Sequence, residues 1–474
     1  MRHLNLTMVL TAGAICLAGV AHADCGNQLH KILPIDDGHQ LTFGWFISFD
    51  GATAVVGAPA SNDNGVFSGS AFIVDTTTGQ QVFKLLPNDG ARRDSFGQDV
   101  AISGTTTIVG AINNDDNGDN SGSAYVFDAA TGQQVFKLLP NDGAAEDWFG
   151  FSVAIDGDIA VIGAPQDDDN GSASGSAYIF DATTGQQLFK LLPDDGMFSD
   201  QFGIAVAVSG DIAVVGSWQD DDLGNFSGAA YLFDVTSGAQ IAKILPEDGH
   251  SAQLFGRFVS ISGTTALISA HGEAGFIGAA YLFDVSDAQN PMQRFKLEPE
   301  AGVQMNFGWS VAVEGTTAII GAFRDSHNNQ ATGSAYLYDT ITGELLVNVF
   351  ADDGADDDEF GVSVGVSGDI AVVGARLHDD NRTDAGAVYV FALDGCGGGG
   401  GCTRNPAWQC DGDVDGDGQV NPVDAGLVQA AFGSLDAQDL CNYDFDCDGQ
   451  INPVDGGIVQ SLFGTCDAPR SVCP

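Results

Sequence analysis

Basic residues are scarce in this chain: 16 Lys+Arg stand against 64 Asp+Glu in 474 residues, a formal net charge of −48. A surface that acidic repels phosphate backbones and excludes a nucleic-acid partner. Long apolar runs are scarce too. The one present spans Leu4 to Val20, and no other stretch approaches the roughly 20 apolar residues of a membrane span. Long helical stretches have no room, because 64 Gly and 30 Phe describe many turns and regularly placed aromatics. Catalytic signatures are missing as well. There is no nucleophile elbow and no HExxH, and the carboxylates are too repeated to single out an acid–base pair. High charge alone would suggest disorder, but 44% hydrophobic residues suffice for a core.

The N terminus reads as a secretory signal over residues 1–23. Arg2 and His3 precede the apolar run, and Ala21-His22-Ala23 supplies a small–x–small cleavage pattern. Neither Cys16 nor Cys25 follows the Leu–small–small residues of a lipidated cysteine. Cleavage removes Cys16 from the nine cysteines, leaving an even set that suits up to four disulfides in an exported chain.

Self-similarity is the strongest signal. Phe-Gly recurs at Phe43, Phe96, Phe149, Phe202, Phe255, Phe307 and Phe360, spaced by 53, 53, 53, 53, 52 and 53 residues. Each repeat holds four apolar segments, in the third FGFSVAI, DIAVIGA, GSAYIFD and QQLFKLLP, each of strand length and composition. A Gly-containing tight turn such as Asp156-Gly157 joins the first two. Four antiparallel strands per unit of about 50 residues predict an all-β, seven-bladed propeller. Residues 28–34 match the fourth segment, whereas the last repeat stops after its third, GAVYVFA. The N-terminal strand is therefore expected to complete the last blade and remove an open sheet edge. Cys25 and Cys396 would then lie near the seam, a candidate disulfide.

At these residues the chain resembles the FG-GAP family, including the integrin α-chain propellers. Phe149-Gly150 with Gly163-Ala164-Pro165 spells the pattern, as does Phe43-Gly44 with Gly57-Ala58-Pro59. Integrin-type repeats carry a calcium loop between the first two strands. Here that link is only a tight turn, so those family sites do not transfer.

The acid lies instead on links two-to-three and four-to-one, which project from one face of a meander disc. They hold Asp115-Asp116, Asp167-Asp168-Asp169, Asp194-Asp195, Asp220-Asp221-Asp222, Asp356-Asp357-Asp358 and Asp379-Asp380. One reading places further Ca²⁺ ions or a basic partner there. The preferred one is a solvated, salt-tolerant face, with spacing that varies between blades. All six lysines (Lys31, Lys84, Lys137, Lys190, Lys243, Lys296) share one register of the fourth strand and read as edge charges against sheet association. The mature histidines share no register. His271 breaks the fifth repeat's pattern and reads as surface ornament.

After a propeller spanning 24–394 comes a Gly/Cys-rich linker, 395–409, then two near-copies within 410–466, then a tail, 467–474. Each copy begins with a twelve-residue EF-hand-type loop. Asp413, Asp415, Asp417, Gln419 and Asp424 occupy ligand positions in the first, with Gly418 at the sharp turn. Asp444, Asp446, Asp448, Gln450 and Asp455 do so in the second, with Gly449. Alternate carboxylates converge on one point, as a hard cation requires. A helix is expected after each loop, with Asn421 as N-cap, Pro422 in the first turn and Gly433 at the end. Loop plus exiting helix, duplicated, resembles the type I dockerin module. The resemblance implies two bound Ca²⁺ ions and docking to a cohesin-like scaffold or cell-surface partner. At loop positions 10 and 11, where the family usually has small hydroxyl residues, stand Pro422-Val423 and Pro453-Val454. Cys410, Cys441, Cys447 and Cys466 are expected to staple this small domain.

The reading that follows is an exported, non-catalytic binding or adhesion propeller with a glycan or protein ligand on its loop face, tethered by its tail. The alternative is a polysaccharide hydrolase or lyase carrying a dockerin. Catalysis needs asymmetry at one spot, and these repeats read as close copies.

Overall fold

The computed structural model describes residues 25–35, 42–299, 306–326, 331–380 and 383–394. Seven four-stranded antiparallel sheets account for nearly all of them. The third shows the pattern: Ser152–Asp156, Ile159–Ala164, Ser176–Asp181 and Gln186–Leu191 pair in chain order from the axis outward. The two middle strands are continuous apolar runs because neighbouring blades cover both their faces, and they are buried almost throughout. The outer strand alternates because one face meets water.

The Phe-Gly pair is the joint between blades. Phe149 is fully buried, edge-on to Tyr178 at 5.4 Å and to Phe180 at 5.8 Å between ring centroids. Its N–H donates to the Ser121 carbonyl of the preceding blade at 3.0 Å. Gly150 follows with φ +86°, and a Cβ there would lie 2.4 Å from the Ser123 carbonyl oxygen. Only glycine fits so close an approach. The first repeat makes the same joint against the last, Phe43 N–H donating to Ala385 O at 3.1 Å.

The ring closes through the N-terminal strand. Asn27–Ile32 pairs antiparallel with Ala387–Ala392, setting Lys31 opposite Tyr389, so the seventh sheet has its fourth strand. Among the described residues no helix is long and apolar enough to cross a membrane, and the one helical segment is the short Glu273–Phe276.

Candidate functional site

The loop face is organised by its lysines. Lys243 Nζ lies 2.8 Å from Asp195, 2.8 Å from Asp220 and 2.6 Å from Asp222, and 5.2 Å from the Tyr231 ring centroid. Asp195 sits on the link between blades three and four, while Asp220 and Asp222 sit on the second-to-third link of blade four. Lys190 repeats the arrangement with Asp142, Asp167 and Asp169, and Lys137 with Asp89 and Asp116. Lys296 meets Asp248, Glu273 and Glu298, Lys84 meets Asp63, and Lys31 meets Asp353 and Asp380. Burial pulls the Lys190 and Lys243 pKa values down, but the bonded aspartates outweigh it and raise both. The edge-charge reading of the lysines is therefore replaced: Lys31, Lys137, Lys190, Lys243 and Lys296 each tie two loops of the acidic face together, and Lys84 is bonded to Asp63 on that face. That face is not simply solvated either.

One loop register is buried throughout. Ser61, Asn114, Asp167, Asp220, Glu273, Asp325 and His378 are 0–8% exposed. Tyr178 and Tyr231 donate their hydroxyls to Asp167 and Asp220, both at 2.9 Å. Beside them, burial pushes Asp147 and Asp200 up to about 6, although each accepts a backbone N–H. Asp353, His378 and Asp380 come close enough to share a metal ion. Lys31 already bonds both of those carboxylates, and His378 Nδ1 lies 2.9 Å from Asp358. The group is explained as an ion-pair cluster.

Asymmetry is found at the axis. The two residues after each Phe-Gly open the channel, and they vary: Trp45-Phe46, Gln98-Asp99, Phe151-Ser152, Ile204-Ala205, Arg257-Phe258, Trp309-Ser310 and Val362-Ser363. They border a cavity of about 160 Å³ whose wall includes Phe46, Asp99, Phe151, Arg257 and Phe258. Around it Trp45 stacks on Phe46 and Trp148 on Phe151, both at 13° between planes. Trp309 packs at 4.8 Å from Phe323 and 5.8 Å from Phe258. Trp218 stacks on His271 at 6.4 Å. The chain has five tryptophans; these four do not line the cavity, but each packs against a residue of its wall, Phe46, Phe151, Phe258 or Arg257.

Charge inside the mouth is confined. Asp99 accepts N–H groups from Val100 at 2.9 Å and Val153 at 2.7 Å, yet burial pushes it up to about 7. Burial lowers Arg257 to about 10, with Asp99 opposing the shift, so the guanidinium stays charged at neutral pH. His271 is buried rather than on the surface. Burial and the nearby Arg257 charge push it down to about 3, and its Nδ1 has no hydrogen-bond partner. It is a neutral ring in an aromatic cage.

The FG-GAP repeat model matches seven segments: 27–74, 80–127, 133–180, 186–233, 239–283, 296–338 and 346–391. The chain belongs to the FG-GAP repeat family. Residues 411–462 match the dockerin type I domain, whose members bind calcium and typically dock onto cohesins. No curated protein matches the chain. In phase with the family repeat, the first segment begins at the N-terminal strand that closes the ring.

The calcium-loop residues Asp413, Asp415, Asp417, Gln419, Asp424, Asp444, Asp446, Asp448, Gln450 and Asp455 lie outside the described residues, as do His39 and His327. The propeller residues that sequence reasoning missed are Asp99, Arg257 and the four mouth tryptophans. Their signal was present: aligned on Phe-Gly, the FG-GAP repeats vary at the residue before it, at the two after it and at the residue after the Gly-Ala step, where Trp148, Trp45, Asp99, Arg257, Trp309 and Trp218 stand.

Proposed function

We propose that this FG-GAP chain is an exported, non-catalytic binding or adhesion protein. Its propeller presents the axial mouth to a glycan or protein ligand, and its dockerin module tethers it to a cohesin-like scaffold or cell-surface partner. The observation that carries the reading is the concentration of four tryptophans at one opening of an otherwise repetitive disc. Ligand pockets are concave and aromatic, with a few fixed polar groups, and this mouth has that composition. Export is supported by the leader-like residues 1–23 and by Cys25 being disulfide-bonded; Cys396 is its proposed partner. In the tail, two Ca²⁺ ions are proposed on the two loops, one held by Asp413, Asp415, Asp417, Gln419 and Asp424, the other by Asp444, Asp446, Asp448, Gln450 and Asp455.

One observation favours the enzyme reading. Asp99, held near pH 7 in the mouth, has the titration of a general acid–base group. It is, however, the single carboxyl among the residues lining the cavity, and glycoside hydrolysis ordinarily employs two. A glycan array probed with the full chain in calcium, paired with reducing-sugar release from the glycans retained, tests both readings. Binding without release supports the binding protein. Release that Asp99→Asn abolishes overturns it.

A further inference from the structure

We propose that Arg257 is an anion-binding centre that takes the carboxylate of a sugar acid at the axial mouth, a specificity that rests on the binding reading above. The guanidinium carbon lies 4.6 Å from the Phe258 ring centroid, 5.3 Å from Trp218 and 5.8 Å from Phe151. Three blades supply those rings. All three lie within cation–π range of the half-buried guanidinium, and their π-clouds offset part of the cost of holding a cation in an aromatic setting. They do nothing for its five N–H donors.

Among the described residues no group accepts a hydrogen bond from Arg257 and no carboxylate is ion-paired to it. Arg376 shows the contrast on the seventh blade. It lies 3.9 Å from the Trp45 ring centroid in the same cation–π manner, but its Nε donates to Glu359. The lysines of the loop face are all bonded to carboxylates. Arg257 is thus a cation fixed in an aromatic setting whose donors the chain leaves to something else. A guanidinium fork matches a carboxylate bidentately, which makes the carboxylate its natural partner.

The rest of the wall selects what carries that carboxylate. A cavity near 150 Å³ admits one six-membered ring, and this one is about 160 Å³. Phe46, Phe151 and Phe258 offer apolar faces for the C–H side of a pyranose. Ser152, Ser310 and Ser363 also line it; they donate their hydroxyls to Gly203 O, Gly361 O and Gly44 O at 2.7–2.9 Å. Their remaining lone pairs can accept sugar hydroxyls. An extended polyanion is disfavoured by the net charge of −48. A single acidic sugar or the acidic end of a glycan meets that repulsion once. A chain end is therefore the expected epitope.

Because four of five tryptophans surround the mouth, their emission reports occupancy. Galacturonate titrated into the full-length protein in calcium buffer should shift the fluorescence saturably, with galactose at least tenfold weaker. Arg257→Met, which keeps the length and apolar contacts, should lose at least tenfold, and Arg257→Lys should lose less. A melting curve for each variant separates lost binding from lost fold. Should Arg257→Met fail to fold, the galacturonate-to-galactose ratio of the wild type and of Arg257→Lys decides. Equal affinity for the two sugars, undiminished binding by a folded Arg257→Met, or saturation by sulfate but not galacturonate would each overturn the assignment. Neutral glycans that shift the emission while galacturonate does not would overturn it and leave the binding-protein reading standing. No response to any glycan would overturn it and leave the binding reading only its protein ligand.

Discussion

Ser367 Oγ accepts the backbone N–H of Gly51 at 3.0 Å, joining hairpin turns 316 residues apart. The bond is one of seven. Asp50 accepts from Gly104, Ser103 from Gly157, Asp156 from Gly210, Ser209 from Gly263, Ser262 from Gly315 and Glu314 from Gly368, at 2.6–3.2 Å. Each innermost turn caps the next around the axis, opposite the mouth, and the Ser367 bond closes the circle. A register that looks in sequence like turn chemistry alone is also inter-blade bonding.

Ser367→Ala should cost about 0.5–1.5 kcal/mol, the net worth of one such bond, and Ser209→Ala should cost a similar amount. Urea unfolding of the two variants checks this. Deleting residues 25–34 should do far more. It strips the outer strand from the seventh sheet, along with the Gln28 acceptor for Asp352 N–H and the Lys31 ion pairs. A broad or aggregating transition is expected in place of a cooperative one, by circular dichroism during heating.

Lys243→Met should destabilise by an amount between the ~1 kcal/mol of an exposed pair and the ~3 kcal/mol of a buried one. It leaves Asp220 buried and unpaired beside partners that are themselves half exposed. Blade six offers the reverse test. Asn348 stands opposite Tyr336 in the lysine register, its buried Oδ1 has no hydrogen-bond partner, and the buried Asp325 is bonded to Ser334 and Tyr336. Asn348→Lys should raise the melting temperature by supplying the cation the other six blades have.

Asp200 gives a pH-dependent outcome. Burial raises its folded pKa to about 6 from an ordinary value of 3.8, so its stabilising contribution is complete below 3.8 and lost as pH rises through 6. At pH 7 the ionised form is a burden. Asp200→Asn keeps an acceptor for Met197 N–H and should stabilise at pH 7 by about 1–3 kcal/mol. The gain should vanish near pH 3.5. Chemical denaturation at the two pH values measures it.

Blade number, strand order and the Phe-Gly joints were legible because seven copies repeat the same local pattern, and a truncated last copy beside an orphan first strand implies closure. The lysine clusters were half legible. Lys137, Lys190, Lys243 and Lys296 each follow their inter-blade aspartate by 48 residues, but only the fold shows that this separation brings them together. The mouth was hidden for the opposite reason. Reading by repeat rewards what is constant, whereas Asp99, Arg257, Trp218 and Trp309 matter because their counterparts differ. His271 looked ornamental for want of a metal partner; its role is to pack among Trp218, Phe276 and Trp309.

Calcium should bind at two sites per chain, both in the tail. The sequence spacing of each twelve-residue loop is expected to bring three or more carboxylates to one point, and without a cation these would repel one another in a segment too small to absorb the cost. In six of the seven blades a lysine already sits among the loop acids, and the one metal-sized group among the described residues, Asp353, His378 and Asp380, is tied by Lys31. Isothermal titration of the full chain should therefore count two ions. Asp413→Ala should remove one, Asp444→Ala the other, and the double variant both. A third ion that survives in the double variant would place calcium on the acidic face after all. No binding by the wild type at millimolar calcium would remove the metal assignment of all ten loop residues at once.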